Sequence, residues 1–141
     1  LEELLEALGA AELPEDPIAA LEAFTRFHIR YHIGKPEEVF IAYMELRNLE
    51  ASPYSEVMKL RQRYERVLRG ILREGVASGD FHADDVSVTA MAIISMMTGV
   101  NTWYRYGGRL SAEEIETIYV NLILSVVGLE DKKLSLQEEK T

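Results

Sequence analysis

The sequence contains no cysteine, which excludes disulfides and thiolate metal sites. Basic charge is also scarce: 15 Lys and Arg stand against 24 Asp and Glu, a formal net charge of -9. Such an acidic segment repels phosphates, so it is not expected to grip a nucleic-acid backbone itself. Proline is limited to Pro14, Pro17, Pro36 and Pro53, all at helix starts or in linkers. No segment alternates with period two, so the domain reads as all-α. GxGxxG, P-loop and GxSxG patterns are absent. His28 and His32 are spaced i, i+4 but lack the HExxH pattern, and Thr25, Ile29 and Gly79, not glutamates, stand three residues before the three histidines. No metal, no cofactor and no catalytic apparatus are expected.

What is present is enough for one domain with a real core: 141 residues, 48% of them hydrophobic. The chain opens LEELLEAL without methionine and without the basic start and apolar run of a signal peptide. The expectation is a piece of a longer protein whose N-terminal part is missing. Leucines at Leu1, Leu4, Leu5 and Leu8 read as the last turns of a helix stopped by Gly9, followed by the linker ELPEDP. Asp16 then caps a helix that starts at Pro17 and ends at Gly34. Pro36 opens a helix to about Leu49, and Ser52 with Pro53 opens a long one to about Ser78, with Gly79 suited to the left-handed closing position. Asp84 and Asp85 precede an uncharged helix that Gly107 and Gly108 break. Ser111 and Glu114 form a capping box for a last helix, Ala112 to Val127, ended by Gly128. The architecture expected is five main helices with a fragment of one before them: residues 1–14 as the end of a linker helix, 15–129 as the domain, and 130–141 as a polar tail.

The stretch Val86 to Tyr104 organises the rest, being nineteen residues without a charge. Its length would cross a bilayer, but Ser87, Thr89, Ser95, Thr98, Asn101 and Thr102 argue against lipid, and every other helix has a charged face. It is therefore read as the central helix of a soluble protein, with no membrane partner. At 100° per residue Val86, Ile93, Met97, Val100 and Tyr104 fall on one side, and Ser95, Thr98, Gly99 and Thr102 on the other. The last helix spreads Ile115, Ile118, Tyr119, Leu122, Ile123, Val126 and Val127 over more than half its circumference. Two such helices exceed what one domain of this size can cover, and a four-helix bundle with a second copy resolves this. A monomer whose other helices wrap the hairpin is the other solution.

Three earlier helices each place one nitrogen-bearing side chain on an apolar arc. His28 lies among Leu21, Phe24, Phe27, Ile29 and Tyr31. Arg47 lies between Phe40 and Tyr43, near Met44, and Arg61 falls among Val57, Tyr64 and Leu68. A buried arginine needs an anion, from the protein or from a ligand. Glu65, four residues after Arg61, can serve; Arg47 can snorkel, and His28 can be a hydrogen-bonded core residue. Taken together they suggest an elongated apolar pocket with a cationic end, suited to an amphipathic anion. Met91, Ser95, Thr98 and Thr102 would line it from the central helix. Ile93, Met97, Val100, Tyr104, Ile115, Ile118, Tyr119, Leu122 and Val126 would face the second copy, although the two sides of the central helix could be exchanged.

The string WYRYGGRLSAEEIETIYVNLIL, Trp103 to Leu124, resembles the closing segment of TetR-family transcriptional regulators. LRQRYERVLRGILREGVASGDF, Leu60 to Phe81, resembles that family's central ligand-domain helix, and YHIGKPEEVFIAYMELRNL precedes it. The likeness covers most of residues 17–128. The subgroup it looks most similar to responds to acyl-CoA thioesters in fatty-acid, aromatic-acid and steroid catabolism; there Trp-Tyr-Arg is often followed by proline, which Tyr106 replaces. The resemblance implies a cytoplasmic homodimer with a small-molecule effector and a TetR-like helical domain whose last two helices form the dimer bundle. It also implies DNA contact only through a helix-turn-helix domain that these 141 residues lack. Effector binding would shift the spacing of the two linker helices so that they no longer fit successive major grooves. An all-helical enzyme and a ligand-free helical scaffold are the rival readings.

Overall fold

The computed structural model describes residues 2–34, 56–105 and 107–128. Among them are five α-helices and no strand: α1 (Glu2–Ala10), α2 (Pro17–Gly34), α3 (Glu56–Ser78), α4 (Val86–Thr98) and α5 (Ala112–Val126), with a 3-10 turn, Gly99–Thr102, after α4. The helix expected from Pro36 to Leu49 lies outside the described residues.

Helix starts follow local chemistry. Asp16 Oδ2 accepts from the Ala19 N–H at 2.9 Å, and Asp85 Oδ1 accepts from the Val88 N–H at 2.8 Å. Each supplies an acceptor for a donor that the first helical turn leaves free. Ser111 and Glu114 form the reciprocal capping box at α5. Gly79 and Gly128 close their helices at φ +83°, the region where a Cβ is costly. Helix α1 runs one residue past Gly9, to Ala10, since glycine weakens a helix without forbidding it.

The buried residues of α2 are Ala20, Leu21, Phe24, Thr25, His28, Ile29 and His32. This is a four-residue repeat that faces inward along one side. Helix α2 packs against α3, α4, the 3-10 turn and α5, and so forms the centre of the domain, while α1 packs on α3. The core it shares contains Leu68 and Leu72 of α3, Ile93 and Met97 of α4, Val100, Ile123 of α5 and Val127, each almost wholly enclosed. Burying a side chain of this kind contributes about 1.5–3 kcal/mol.

At the corner between α3 and α4, the Phe81 N–H bonds to the Gly75 carbonyl at 2.9 Å. The Phe81 ring occupies the space that a side chain on residue 75 would need, so the glycine permits a close crossing there.

The uncharged stretch differs from its expected form in one way. It does not stay α-helical to Tyr104 but tightens at Gly99 into the 3-10 turn. The Thr98 hydroxyl bonds to the Ile94 carbonyl at 2.7 Å and the Thr102 hydroxyl to the Gly99 carbonyl at 2.7 Å, local bonds that compete with regular helix next to a poor helix former. The protomer does not enclose the stretch on every side: Val88, Met91, Met96 and Trp103 are exposed. Among the described residues, no helix is long and apolar enough to cross a membrane.

Candidate functional site

The inward face of α2 carries two polar rings in an otherwise apolar interior. His28 is 1% exposed. Its Nδ1 lies 2.6 Å from Tyr64 Oη of α3, and its Nε2 lies 3.0 Å from Thr98 Oγ1 of α4. The proton positions follow from the partners. Thr98 donates its only proton to the Ile94 carbonyl, so toward His28 it can only accept. His28 therefore carries its proton on Nε2, and Nδ1 accepts from the Tyr64 hydroxyl. A directed chain results, from Tyr64 through His28 and Thr98 to the Ile94 carbonyl, and it joins α3, α2 and α4.

Burial fixes the charge states along this chain. It holds His28 well below the usual imidazole range, with the neighbouring His32 acting in the same direction, so the ring is neutral. Burial also raises the Tyr64 phenol well above its ordinary value, which keeps it a donor. His32 stacks on His28 with ring centroids 3.8 Å apart, and its Nδ1 is 2.8 Å from the His28 carbonyl oxygen. Phe24 lies 5.1 Å from the Tyr64 ring and completes the aromatic wall.

Two carboxylates bind the cations of this region. Arg61 donates to Glu65 at 2.9 Å, and Arg69 approaches the same carboxylate at 3.7 Å. The nearly buried Glu116 of α5 accepts from Arg30 through Nη2 at 2.9 Å and Nε at 3.3 Å, with Arg26 at 3.8 Å. Glu116 was not expected. Its signal was its place in the series 116, 120, 123 and 127, which points inward at helical spacing.

The structure brings His28, Tyr64, Leu68 and Thr98 together, with Phe27 and Tyr31 partly buried beside them. Arg61 is at the edge and already paired with Glu65. Met91, Ser95 and Thr102, expected to line the pocket, are exposed on the outer side of α4. Ile93, Met97 and Val100, expected at a seam between copies, are buried in the protomer's own core, with Tyr104 partly buried. The bulky arc turns inward because α2 and α3 offer it an apolar wall within the same chain, and of the opposite arc Thr98 turns inward with it. On α5, Ile115 and Tyr119 turn inward, whereas Ile118, Leu122 and Val126 are exposed. Phe40, Tyr43, Met44 and Arg47 lie outside the described residues. A surface hollow of about 420 Å³ is lined by Ser111, Glu113, Glu114, Thr117 and Ile118. No histidine lines it, and its acidic lining does not suit an anion.

Among the described residues no cluster of three or more His, Cys, Asp or Glu could hold a metal ion. What the arrangement offers is hydrogen bonding within an apolar enclosure, carried across three helices.

The family model described as "Tetracyclin repressor-like, C-terminal domain" matches residues 14–127. The HTH-type transcriptional repressor KstR2 of Mycolicibacterium smegmatis is 33% identical over 89 residues, which are 62% of this chain and 43% of that protein. The chain thus spans less than half of that relative's length. A TetR-family regulatory protein from Rhodococcus RHA1 superposes with a TM-score of 0.79 at 26% identity, over 90% of this chain and 67% of its own. The TetR-family regulator PfmR of Thermus thermophilus does so with a TM-score of 0.67 at 34% identity, over 86% of this chain and 67% of its own. A matched span that takes in most of the chain, with solved relatives that share its helical layout, places this chain in the TetR family, as a tetracycline-repressor-like C-terminal domain.

Proposed function

We propose that this chain is the effector-binding and dimerisation part of a cytoplasmic TetR-type repressor. In this reading a small amphipathic molecule, an acyl-CoA thioester being the leading class, releases DNA held by a helix-turn-helix domain outside these residues. Family membership makes it a transcriptional regulator and not an enzyme. The observation that carries the finer reading is the two-sidedness of α4. Its inner face joins the His28 chain through Thr98. Its outer face leaves Val88, Met91 and Met96 exposed, and α5 does the same with Ile118, Leu122 and Val126.

The α5 residues fall at i, i+4 and i+8, one continuous stripe along the helix. Exposed apolar residues on two helices consecutive in the chain suit an interaction face, and pairing with a second copy buries the same stripe from both sides. The pocket would lie inside α2 and α3, walled by Phe27, His28, Tyr31, Tyr64 and Leu68. An effector there acts by favouring one of two arrangements through unequal affinity. That the Mycolicibacterium relative is a repressor supports release rather than recruitment.

The test is a gel-shift series on the full-length protein with acyl-CoA thioesters of increasing chain length. Relief of operator binding by one or more of them is expected, and a series in which none relieves binding rejects the effector class. Leu122→Glu should convert the dimer to a monomer in sedimentation velocity, and an unchanged dimer rejects the seam.

A further inference from the structure

The fold leaves one buried polar group of α2 unused. His32 is 6% exposed, stacked on His28 and flanked edge-on by Tyr31, with ring centroids 5.9 Å apart. Its Nδ1 faces the His28 carbonyl at 2.8 Å. A carbonyl can only accept, so Nδ1 carries the proton. Burial lowers the His32 pKa, partly offset by this bond, and the ring is neutral at neutral pH. Its Nε2 therefore presents a lone pair, with no hydrogen-bond partner among the described residues. No fully enclosed side-chain nitrogen or oxygen among these residues lacks a partner, so Nε2 keeps a small accessible area within a buried residue. An acceptor in aromatic surroundings is costly to leave unmatched and selective when matched.

We propose that His32 Nε2 is a recognition point for the effector, and that it selects molecules carrying a hydroxyl or another neutral hydrogen-bond donor beside an apolar body. This rests on the effector-binding reading above. A carboxylate at the same place would set its lone pairs against that of the imidazole, so any anionic part of the effector lies elsewhere. His28 cannot take this role, because both of its ring nitrogens are already engaged. His32 is instead coupled to the inner chain, through its stack on His28 and its bond to the His28 carbonyl.

The test uses decanoyl-CoA, 3-hydroxydecanoyl-CoA and 10-hydroxydecanoyl-CoA as probes, titrated calorimetrically into the native chain and into His32→Phe and His32→Gln. Phenylalanine keeps the stacked ring and removes the acceptor; glutamine keeps an acceptor. One of the hydroxylated probes should bind the native chain roughly five- to tenfold more tightly than decanoyl-CoA, the value of one added hydrogen bond. The preference should vanish in His32→Phe and persist in part in His32→Gln. In the native chain, the nitrogen-15 resonance of His32 Nε2 should move upfield when that probe is added. Equal binding of all three probes with no change at Nε2 overturns the role of His32 and leaves the effector reading in place. Binding of none of them overturns the acyl-CoA reading and this inference with it. Should His32→Phe fail to fold, the resonance and the glutamine variant decide.

Discussion

Thr98→Val is the sharpest probe of the chain of hydrogen bonds through His28. Valine has nearly the shape of threonine, and the variant removes one oxygen from an enclosed site. The Ile94 carbonyl loses only a second partner, since the α-helix continues through residue 98. His28 loses the acceptor of its Nε2 proton, which now lies 3.0 Å away, and the ring is 1% exposed, so water does not replace it. Moving the proton to Nδ1 gives little relief: Nδ1 could then donate to Tyr64 Oη, but Nε2 would become an unpaired acceptor and the Tyr64 proton would lose its partner. An unpaired buried donor costs about 1–3 kcal/mol, and about 2 kcal/mol is expected here. Urea unfolding followed by far-ultraviolet circular dichroism, at fixed protein concentration, should show the midpoint falling without change of slope. The thermal midpoint should drop by roughly 6–8 °C for a domain of this size. Thr98→Ser, which keeps the hydroxyl, should recover most of the loss. In combination with Tyr64→Phe the two losses should not add, since both act on one ring. A Thr98→Val protein within about 0.5 kcal/mol of native, less than the smallest expected penalty, would refute the assigned proton positions.

Two further outcomes follow from the charged and titratable groups. Burial lowers both His28 and His32, so the unfolded chain binds more protons than the folded one below the ordinary imidazole value. Their contribution is present above about pH 6.5 and is lost as pH falls below it, by up to about 1.4 kcal/mol per pH unit for each ring. Urea midpoints should decline between pH 7 and 5, before carboxylates protonate, and a flat profile would contradict the burial. At the Glu116 clamp the cost should depend on which partner is removed. Arg30→Met leaves a carboxylate 3% exposed with only Arg26 at 3.8 Å and should cost about 2–3 kcal/mol. Glu116→Gln leaves the Arg30 side chain, 72% exposed, to water and should cost about 1 kcal/mol; the reverse order by urea unfolding would be inconsistent with this geometry.

What could be read in the sequence was what depends on near neighbours. Asp16, Asp85 and the Ser111 and Glu114 pair cap helices through groups three residues away. Arg61 and Glu65 meet within one turn. The need of His28 for partners was legible from its apolar surroundings. Their identity was not, because Tyr64 and Thr98 are 36 and 70 residues distant. The orientation of α4 was not legible either, since both of its arcs are free of charge and only the packing of α2 and α3 decides which one turns inward. That packing leaves Ile93 and Met97 inside the protomer and Ser95 and Thr102 exposed. The burial of Glu116 was not legible, because its partner Arg30 is 86 residues earlier.

The corner where the Phe81 ring fills the place of a side chain on residue 75 bears on how such a chain can drift over generations. The two positions cannot change independently. A lineage that gains any side chain at 75 must first give up the aromatic ring at 81, because the opposite order passes through a protein whose third and fourth helices cannot meet. Loss of the ring alone leaves a void, which costs about 3–5 kcal/mol but sets no atoms in collision. The corner thus admits one order of mutational steps, and sequences descending from this one should hold glycine at 75 for as long as they hold an aromatic residue at 81.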